Sequence, residues 1–364
     1  MPIPDSDPRL HGKFCGRLYS WFEVDRQGDC YLCCQGWLPN RIGNILEQEF
    51  DDIWNGPEAQ ACRRQIHTGI WDKCNKTFCC FIPAGELPNI ADHPELDYLH
   101  TGSLIATDLP TSIYFTNDRS CNLACPSCRK HKIMHTSGAE YLKSKAVNDK
   151  LIELFLSKPT DRHFGISLTG SGDPFVSKIF REMLQNINGA DFPNMTIDLQ
   201  TNGTMFTPKI WESMHKVHKN LRTCRISFDA GSKHTYENVT RLNGNWDVLL
   251  ENCAYLDEMN IAHPNFVVDY DFVVQQDNYT EMAQFIRLVI DKFPHMHKAC
   301  FTLVNDWGTW AADTYEHKAV WKESHQEHDK LLECLTDDIF DHHKVYLSGL
   351  TALRHKAKRI KHGI

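Results

Sequence analysis

Apolar positions between residues 111 and 304 follow two alternating periods, which predict a series of strands and helices. Alternating or continuous apolar runs predict six strands, at 111–117, 163–167, 194–200, 224–228, 265–274 and 299–304. Between them, apolar residues recur on one helical face at 145–156, 178–187, 207–217, 245–259 and 278–293. This alternation is typical of βαβ units and predicts a parallel sheet covered by helices.

Six strand–helix units are too few for a complete eight-stranded barrel. An open, partial barrel and a doubly wound sheet both fit the pattern, and both place function at the carboxyl ends of the strands. Turns rich in glycine, cysteine and polar residues follow five of the predicted strands. They include GSGDP at 170–174, QTNG at 200–203, SFDAGS at 227–232 and NDWGTW at 305–310.

The two ends of the chain differ from this central region. Residues 1–95 are rich in cysteine, tryptophan and glycine with only short periodic runs, and a connecting segment at 94–110 follows them. The tail from about residue 311 is helical in pattern and ends in the basic stretch RHKAKRIKH. We therefore predict a small domain at 1–95, an α/β domain at 96–310 and a helical extension at 311–364.

Charge and composition exclude several classes of protein. The net charge of −8 over 364 residues argues against general nucleic-acid binding. No apolar run has membrane-spanning length, and the first residues resemble no signal peptide, so a cytoplasmic, non-membrane protein is expected. The fifteen cysteines then indicate metal or redox chemistry. Four that lie inside apolar segments are interpreted as plain buried thiols: Cys224, Cys253, Cys300 and Cys334.

Three cysteines lie in the turn after the first predicted strand, with the spacing C-x3-C-x2-C: Cys121, Cys125 and Cys128. Thiolates are soft ligands that suit zinc and iron–sulfur clusters. A structural zinc site needs four ligands, which His131 or His135 could complete. A cubane cluster held by only three thiolates would instead keep one iron open for a substrate or cofactor.

This spacing, placed after the first strand of a partial barrel, resembles the radical S-adenosylmethionine (SAM) enzymes. The resemblance implies a [4Fe-4S] cluster whose open iron binds SAM, reductive cleavage of SAM to a 5'-deoxyadenosyl radical, and hydrogen abstraction from a substrate C–H bond. The fold it implies is α/β, a partial (β/α)6 barrel of the radical SAM type. A flavodoxin- or ferredoxin-type protein is the implied electron donor.

Turns at the later strand ends also resemble motifs of this family and imply SAM-binding residues. The segment at 171–173 resembles the family's Gly-Gly-Glu motif, and TNG resembles its ribose-side motif. The strand-four segment RISFDAGSKHTYENVTR resembles the subgroup that carries additional clusters. The residues implied are Gly172, Asp173, Thr201, Asn202, Ser227 and Arg241. One departure is Ser127, which stands where the family usually has an aromatic residue.

The amino-terminal cysteines resemble the SPASM/twitch domain, which implies an auxiliary [4Fe-4S] cluster. The implied ligands are Cys15, Cys33, Cys74 and one of Cys79 and Cys80. Spacing does not choose between Cys30, Cys33 and Cys34, nor between Cys79 and Cys80, and a zinc site is the alternative. The family normally carries this module after the barrel, whereas here it comes first.

The resemblance implies a hydrogen-abstracting oxidoreductase that either modifies a peptide or oxidises a small molecule such as a sugar. Side chains after the sixth strand, including Trp307 and Trp310, could line the substrate pocket or serve only in packing. The alternative is a non-catalytic iron–sulfur or zinc protein that transfers electrons or acts as a scaffold. Such a protein would need none of the SAM-binding residues at the strand ends.

Overall fold

A computed structural model describes residues 7–168 and 170–363 of the chain. These residues form two compact units. The first unit comprises residues 7–119, 135–171 (apart from Thr169) and 191–196. The second comprises residues 120–134, 172–190 and 197–363.

Five strands belong to the first unit. They are β1 (Trp21–Asp25), β2 (Asp29–Tyr31), β3 (Gly43–Asn44), β4 (Ser112–Thr116) and β5 (Phe164–Leu168). Their order in the sheet is β3-β2-β1-β4-β5, with β1 parallel to β4 and β4 parallel to β5. The pairs β1–β2 and β2–β3 are antiparallel. The turn between β1 and β2 needs Gly28, whose φ of 85° few other residues adopt.

Helices of the first unit cover one aromatic core. They are α1 (Phe50–Trp54), α2 (Pro57–Thr68), α3 (Phe81–Ala84), α4 (Asp97–Thr101) and α5 (Gly138–Phe155). Helix α2 begins with proline at its first turn and ends at the left-handed Gly69, as helix-end preferences predict. Phe22, Phe50 and Phe155 meet at ring-centroid distances of 5.3 to 6.1 Å in edge contacts.

Strands of the second unit are parallel and follow chain order. They are β6 (Met195–Thr201, with 197–201 in this unit), β7 (Leu221–Ser227), β8 (Val267–Val274), β9 (Lys298–Leu303) and β10 (Val345–Tyr346). The helices are α6 (Lys178–Asn186), α7 (Pro208–Ser213), α8 (Lys233–Thr235), α9 (Trp246–Ala262), α10 (Met282–Lys292), α11 (Ala312–Lys318), α12 (His328–Cys334) and α13 (Thr351–His362). The side chains of Ser177, Thr207 and Asn245 cap α6, α7 and α9 by accepting hydrogen bonds from backbone N–H groups.

The predicted α/β fold is confirmed. All six predicted strands are present as β4 to β9, and the end of the chain is helical, from α11 to α13. One helix starts earlier than predicted, at Gly138 rather than residue 145, because its first turns carry exposed polar residues outside the apolar period. Within the described residues, no helix combines the length and the apolar character that a membrane span requires.

Candidate functional site

The loop after β4 brings its three cysteines together. Its ends are joined by an antiparallel bridge, in which the backbone N–H of Cys121 donates to Ile133 at 2.7 Å and the reverse bond measures 3.2 Å. Within the loop, the carbonyl of Cys125 accepts the N–H groups of Cys128 and Arg129, both at 2.9 Å. The three cysteines pack against one buried leucine, Leu123.

Each of the three sulfur atoms accepts a hydrogen bond from a different side chain. Asn202 Nδ2 donates to Cys121 Sγ at 3.7 Å, Arg241 Nη1 to Cys125 Sγ at 3.4 Å, and Arg129 Nη2 to Cys128 Sγ at 3.4 Å. Neutral thiols are weak acceptors, and donors of this kind favour the thiolate form that binds metals. The loop is therefore surrounded by groups suited to thiolate sulfur.

As long as no metal is bound, burial opposes the effect of these donors, because it favours the neutral thiol over the thiolate. Burial raises the pKa of Cys121 to about 11. It also raises the pKa of Cys125, although the neighbouring Arg241 acts to lower it. Burial also acts against the charge of Arg129, but the thiols of Cys128 and Cys121 raise its pKa overall. Since metal ligation requires thiolates, binding of a cluster here would release protons.

Asp173 connects the turn after β5 to the end of β6. It is 1% exposed, and its carboxylate accepts four hydrogen bonds. Oδ1 accepts from the backbone N–H of Phe175 (3.0 Å) and Val176 (3.2 Å), and Oδ2 accepts from Thr201 Oγ1 (2.7 Å) and the N–H of Asn202 (2.8 Å). Burial raises the pKa of this carboxyl although all four bonds favour its charged form. The predicted contact with the amino group of SAM would require one of these bonds to be exchanged.

The TNG turn after β6 supports the cysteine loop. The Asn202 side chain donates to Asn122 Oδ1 at 2.9 Å, beside its bond to Cys121, and accepts from the N–H of Thr204 at 3.0 Å. Gly203 has a φ of 77°, and a Cβ there would lie 2.7 Å from a methyl group of Leu249. Only glycine fits this close approach, which explains why the turn has this sequence.

Arg241 forms a buried ion pair next to the same loop. Its Nη2 lies 2.5 Å from Oδ2 of Asp229, and the two side chains are 12% and 8% exposed. Asp229 adopts a φ of 57° and accepts a 2.7 Å bond from the N–H of Val273. A π-helical turn, Tyr236–Thr240, precedes the arginine, and such turns are frequent at functional sites. Among the described residues, Arg241 Nε is buried without a hydrogen-bond partner.

The two other predicted SAM-binding residues are partly exposed. Ser227 ends β7, and its hydroxyl makes no hydrogen bond with the described residues. It pairs across the sheet with Asp271, whose carboxylate accepts a 2.8 Å bond from Arg225. Gly172 lies in the turn that leads to Asp173. All six predicted SAM-binding residues thus belong to the second unit.

A separate set of cysteines lines a cavity in the first unit. Cys15 precedes a short 3₁₀ helix, Cys33 follows β2, and Cys74 and Cys79 lie in the segment after α2. Backbone bonds from Asn75 to the carbonyl of Trp37 (2.7 Å) and from Cys79 to that of Asn75 (3.0 Å) fix this segment. Burial raises the pKa of Cys74 to about 12.

The remaining cysteines of this region do not line the cavity. Cys30 is fully buried, and its thiol donates to the carbonyl of Gly28 at 3.4 Å. Cys80 is exposed, and Cys34 is absent from the cavity wall. The structure thus separates Cys33 and Cys79 from the neighbours that sequence spacing could not distinguish.

The cavity wall suits an anionic group that accepts hydrogen bonds. Two of its N–H groups, Arg17 Nη1 and Trp71 Nε1, are buried without a partner among the described residues. The rest of the wall is largely apolar and includes Leu18, Trp37 and Ile82. Sulfides and thiolates of an iron–sulfur cluster accept such bonds. Within the described residues, no group of three or more His, Cys, Asp or Glu side chains is arranged to hold a metal ion.

Comparisons with known proteins match two parts of the chain. The model of the radical SAM superfamily matches residues 119–289, and that of an iron–sulfur cluster-binding domain, SPASM, matches residues 15–81. The chain carries a radical SAM domain and a SPASM domain. Its SPASM domain precedes the radical SAM domain, as predicted, and [4Fe-4S] clusters and SAM are the cofactors of these domains.

Two solved structures are similar to this chain. SuiB of Streptococcus suis bound to S-adenosylmethionine is 15% identical, with 90% of this chain and 69% of that chain covered and a TM-score of 0.40. Native anSMEcpe with bound AdoMet and Cp18Cys peptide is 17% identical, with 65% and 62% covered and a TM-score of 0.35. No curated protein sequence matches the chain.

Sequence reasoning missed several residues that contact the two sites. Arg129 follows the third cysteine directly, and Asp229 lies inside the strand-four motif, so local position alone could have indicated both. Asn122 lies within the cysteine loop itself. No sequence signal indicates Trp71, which reaches the cavity through the packing of α2 and the segment after it.

Proposed function

We propose that this protein is an enzyme that cleaves SAM reductively and uses the resulting radical to abstract hydrogen from a substrate C–H bond. The observation that carries this proposal is the loop after β4, in which three sulfurs each accept a hydrogen bond from one N–H donor. Three thiolates leave one iron of a [4Fe-4S] cluster without a protein ligand. Bound there, SAM would supply the 5'-deoxyadenosyl radical, the chemistry of this cofactor.

The seven cysteines would hold two clusters. Cys121, Cys125 and Cys128 would hold the SAM-binding cluster in the second unit. Cys15, Cys33, Cys74 and Cys79 would hold the auxiliary cluster, because all four line one cavity. Cys80 is outside this proposed ligand set because it is exposed.

The SAM-binding residues divide into two groups by the bonds that they already make. Asp173, Thr201 and Asn202 bond to one another and to the cysteine loop, so they position the cluster and present backbone atoms of the 172–173 turn. The Ser227 hydroxyl and Arg241 Nε have donors left for the ribose and carboxylate of SAM. This division supports direct SAM contact for the second group.

We favour an oxidoreductase, because an auxiliary cluster can accept the electron that remains on a substrate radical. A peptide and a small molecule such as a sugar are both suitable substrates, and a flavodoxin- or ferredoxin-type protein is the proposed reductant. Trp307 is 58% exposed after β9 and could contact substrate. Trp310 instead packs against Val304 and Tyr315, so it has a structural role.

Anaerobic reconstitution followed by SAM and dithionite tests the proposal. Wild-type protein should release 5'-deoxyadenosine, measured by liquid chromatography with mass detection. A variant with Cys121→Ala, Cys125→Ala and Cys128→Ala should release none above background. Equal release from both proteins, or none from a wild-type protein that holds about eight irons, would favour the non-catalytic alternative.

A further inference from the structure

Arg17 occupies an unusual position in the wall of the four-cysteine cavity. Its guanidinium carbon lies 4.4 Å from the ring centre of Trp21, 5.4 Å from that of Trp37 and 4.5 Å from that of Phe81. Three aromatic faces thus hold the cation in place by packing and cation–π attraction. Its Nη1 nevertheless remains buried without a hydrogen-bond partner among the described residues.

A buried N–H donor without an acceptor is costly, by about 1–3 kcal/mol or more for a charged group. Trp71, which is 1% exposed, shows the same feature, since its Nε1 also has no partner. Both side chains line the cavity together with the four thiols. Two unpaired donors in one cavity wall indicate that the natural occupant of the cavity accepts hydrogen bonds.

We propose that Arg17 and Trp71 set the reduction potential of the auxiliary cluster by donating to its sulfur atoms. This inference rests on the proposed function, which places that cluster on Cys15, Cys33, Cys74 and Cys79. Reduction adds one electron to the cluster and neither forms nor breaks a bond. A fixed positive charge and N–H donors stabilise the more negative, reduced cluster, so they raise its potential.

Other arginines of the first unit are placed differently. Arg63, also buried, donates to the carbonyls of Leu18 and Leu104 at 2.9 and 3.0 Å and therefore stabilises the backbone at these two residues. Arg41 is half exposed and pairs with Asp29 at 2.6 Å. Because Arg41 does not line the cavity, it offers a control for the loss of one positive charge elsewhere on the unit.

The test is a redox titration of the full chain reconstituted with iron and sulfide. The Cys121→Ala, Cys125→Ala, Cys128→Ala background leaves the auxiliary cluster as the only one observed, and wild-type protein is titrated in parallel. Visible absorption and the EPR signal of the reduced cluster report the midpoint. In Arg17→Gln, we expect the oxidised-to-reduced ratio at the wild-type midpoint to rise at least tenfold, which equals about 59 mV for one electron.

Three further variants separate charge from hydrogen bonding. Arg17→Lys retains the charge and should shift the midpoint less than Arg17→Gln, and Arg41→Gln should leave it unchanged. Trp71→Phe keeps a ring in the wall but removes the N–H, so it should lower the midpoint by a smaller amount. If Arg17→Gln does not retain iron, Trp71→Phe decides the question.

Unchanged midpoints in iron-replete Arg17→Gln or, where that variant is lost, in Trp71→Phe would overturn the inference. A drop in Arg41→Gln equal to that in Arg17→Gln would also overturn it, since the effect would then be general charge. If the background variant binds no iron at all, the assignment of the auxiliary cluster itself fails, and the inference falls with it.

Discussion

The two cysteine sites of this protein are built in opposite ways. The loop in the second unit takes its three thiols from eight consecutive positions, and each sulfur accepts a hydrogen bond from a polar side chain of that unit. The cavity in the first unit takes its four thiols from three separate segments, and its wall is mostly aromatic and apolar. Its N–H donors have no partner within the described chain.

The difference shows how each site keeps its shape. The loop is positioned by charge and hydrogen bonds, which include the Arg241–Asp229 pair and the four bonds of Asp173. The cavity is positioned by the core that surrounds it, so its thiols meet only when the first unit has folded.

We expect the largest effect, a loss of bound iron, from substitution of one of two neighbouring cysteines, Cys79 and Cys80, which lie in different surroundings. Cys79→Ala should lose the auxiliary cluster and lower the iron content from about eight to about four per chain, because a cubane cluster normally needs four ligands. Cys80→Ala should retain about eight, because Cys80 is exposed and outside the cavity wall. Iron and sulfide analysis after anaerobic reconstitution measures both.

The same comparison applies to the loop. Cys125→Ala should abolish formation of 5'-deoxyadenosine, while Cys224→Ala, at a fully buried thiol in β7, should not. The scheme of ligands is wrong if Cys80→Ala loses as much iron as Cys79→Ala. It is equally wrong if Cys125→Ala still forms the nucleoside at the wild-type rate.

A second prediction concerns the ion pair that supports the loop. Asp229→Asn leaves Arg241 charged and buried without its partner, which should lower the free energy of unfolding by about 3–5 kcal/mol. Asp229→Ala should cost about 1–2 kcal/mol more, because asparagine tolerates the left-handed φ of 57° better than alanine does. Thermal and urea unfolding of the apoprotein measure both variants.

The control for this pair is Asp198→Asn. Asp198 pairs with Arg222, but the two side chains are 24% and 58% exposed, so its loss should cost about 1 kcal/mol or less. Equal destabilisation by Asp198→Asn and Asp229→Asn would show that burial of the Arg241 pair contributes nothing. Equal stability of Asp229→Asn and Asp229→Ala would show that the left-handed φ of this residue does not favour asparagine over alanine.

How far the sequence could lead depends on how local each feature is. Strands β4 to β9 follow from apolar period, and the three-cysteine loop follows from spacing, since both are encoded within short segments. The choice of Cys33 over Cys34 could not be made, because it depends on which thiol faces a cavity formed by distant segments. The hydrogen bonds to the Asp173 carboxylate could not be predicted either, because their donors come from two different turns.

The smallest expected effect concerns a buried carboxylate of the first unit, Glu23, which we compare with Asp173 of the second. Asp173 accepts four hydrogen bonds, whereas the Glu23 carboxylate accepts from the indole of Trp21, at 3.3 Å, and from the backbone N–H of Gln35. Glu23 lies in β1 at 6% exposure, and burial raises its pKa from 4.5 to about 8. The folded protein therefore keeps this proton up to about pH 8, while the unfolded chain loses it above about pH 4.5.

It follows that the free energy of unfolding should fall as the pH rises through this window, because the folded state binds more protons there. Glu23→Gln keeps the shape but cannot ionise, so it should lose this fall and be more stable than wild type at pH 8. Urea unfolding at pH 5 and pH 8 measures the difference, with Glu47→Gln, at a 69% exposed side chain, as control. Parallel pH dependence in wild type and Glu23→Gln would show that Glu23 has an ordinary pKa despite its burial.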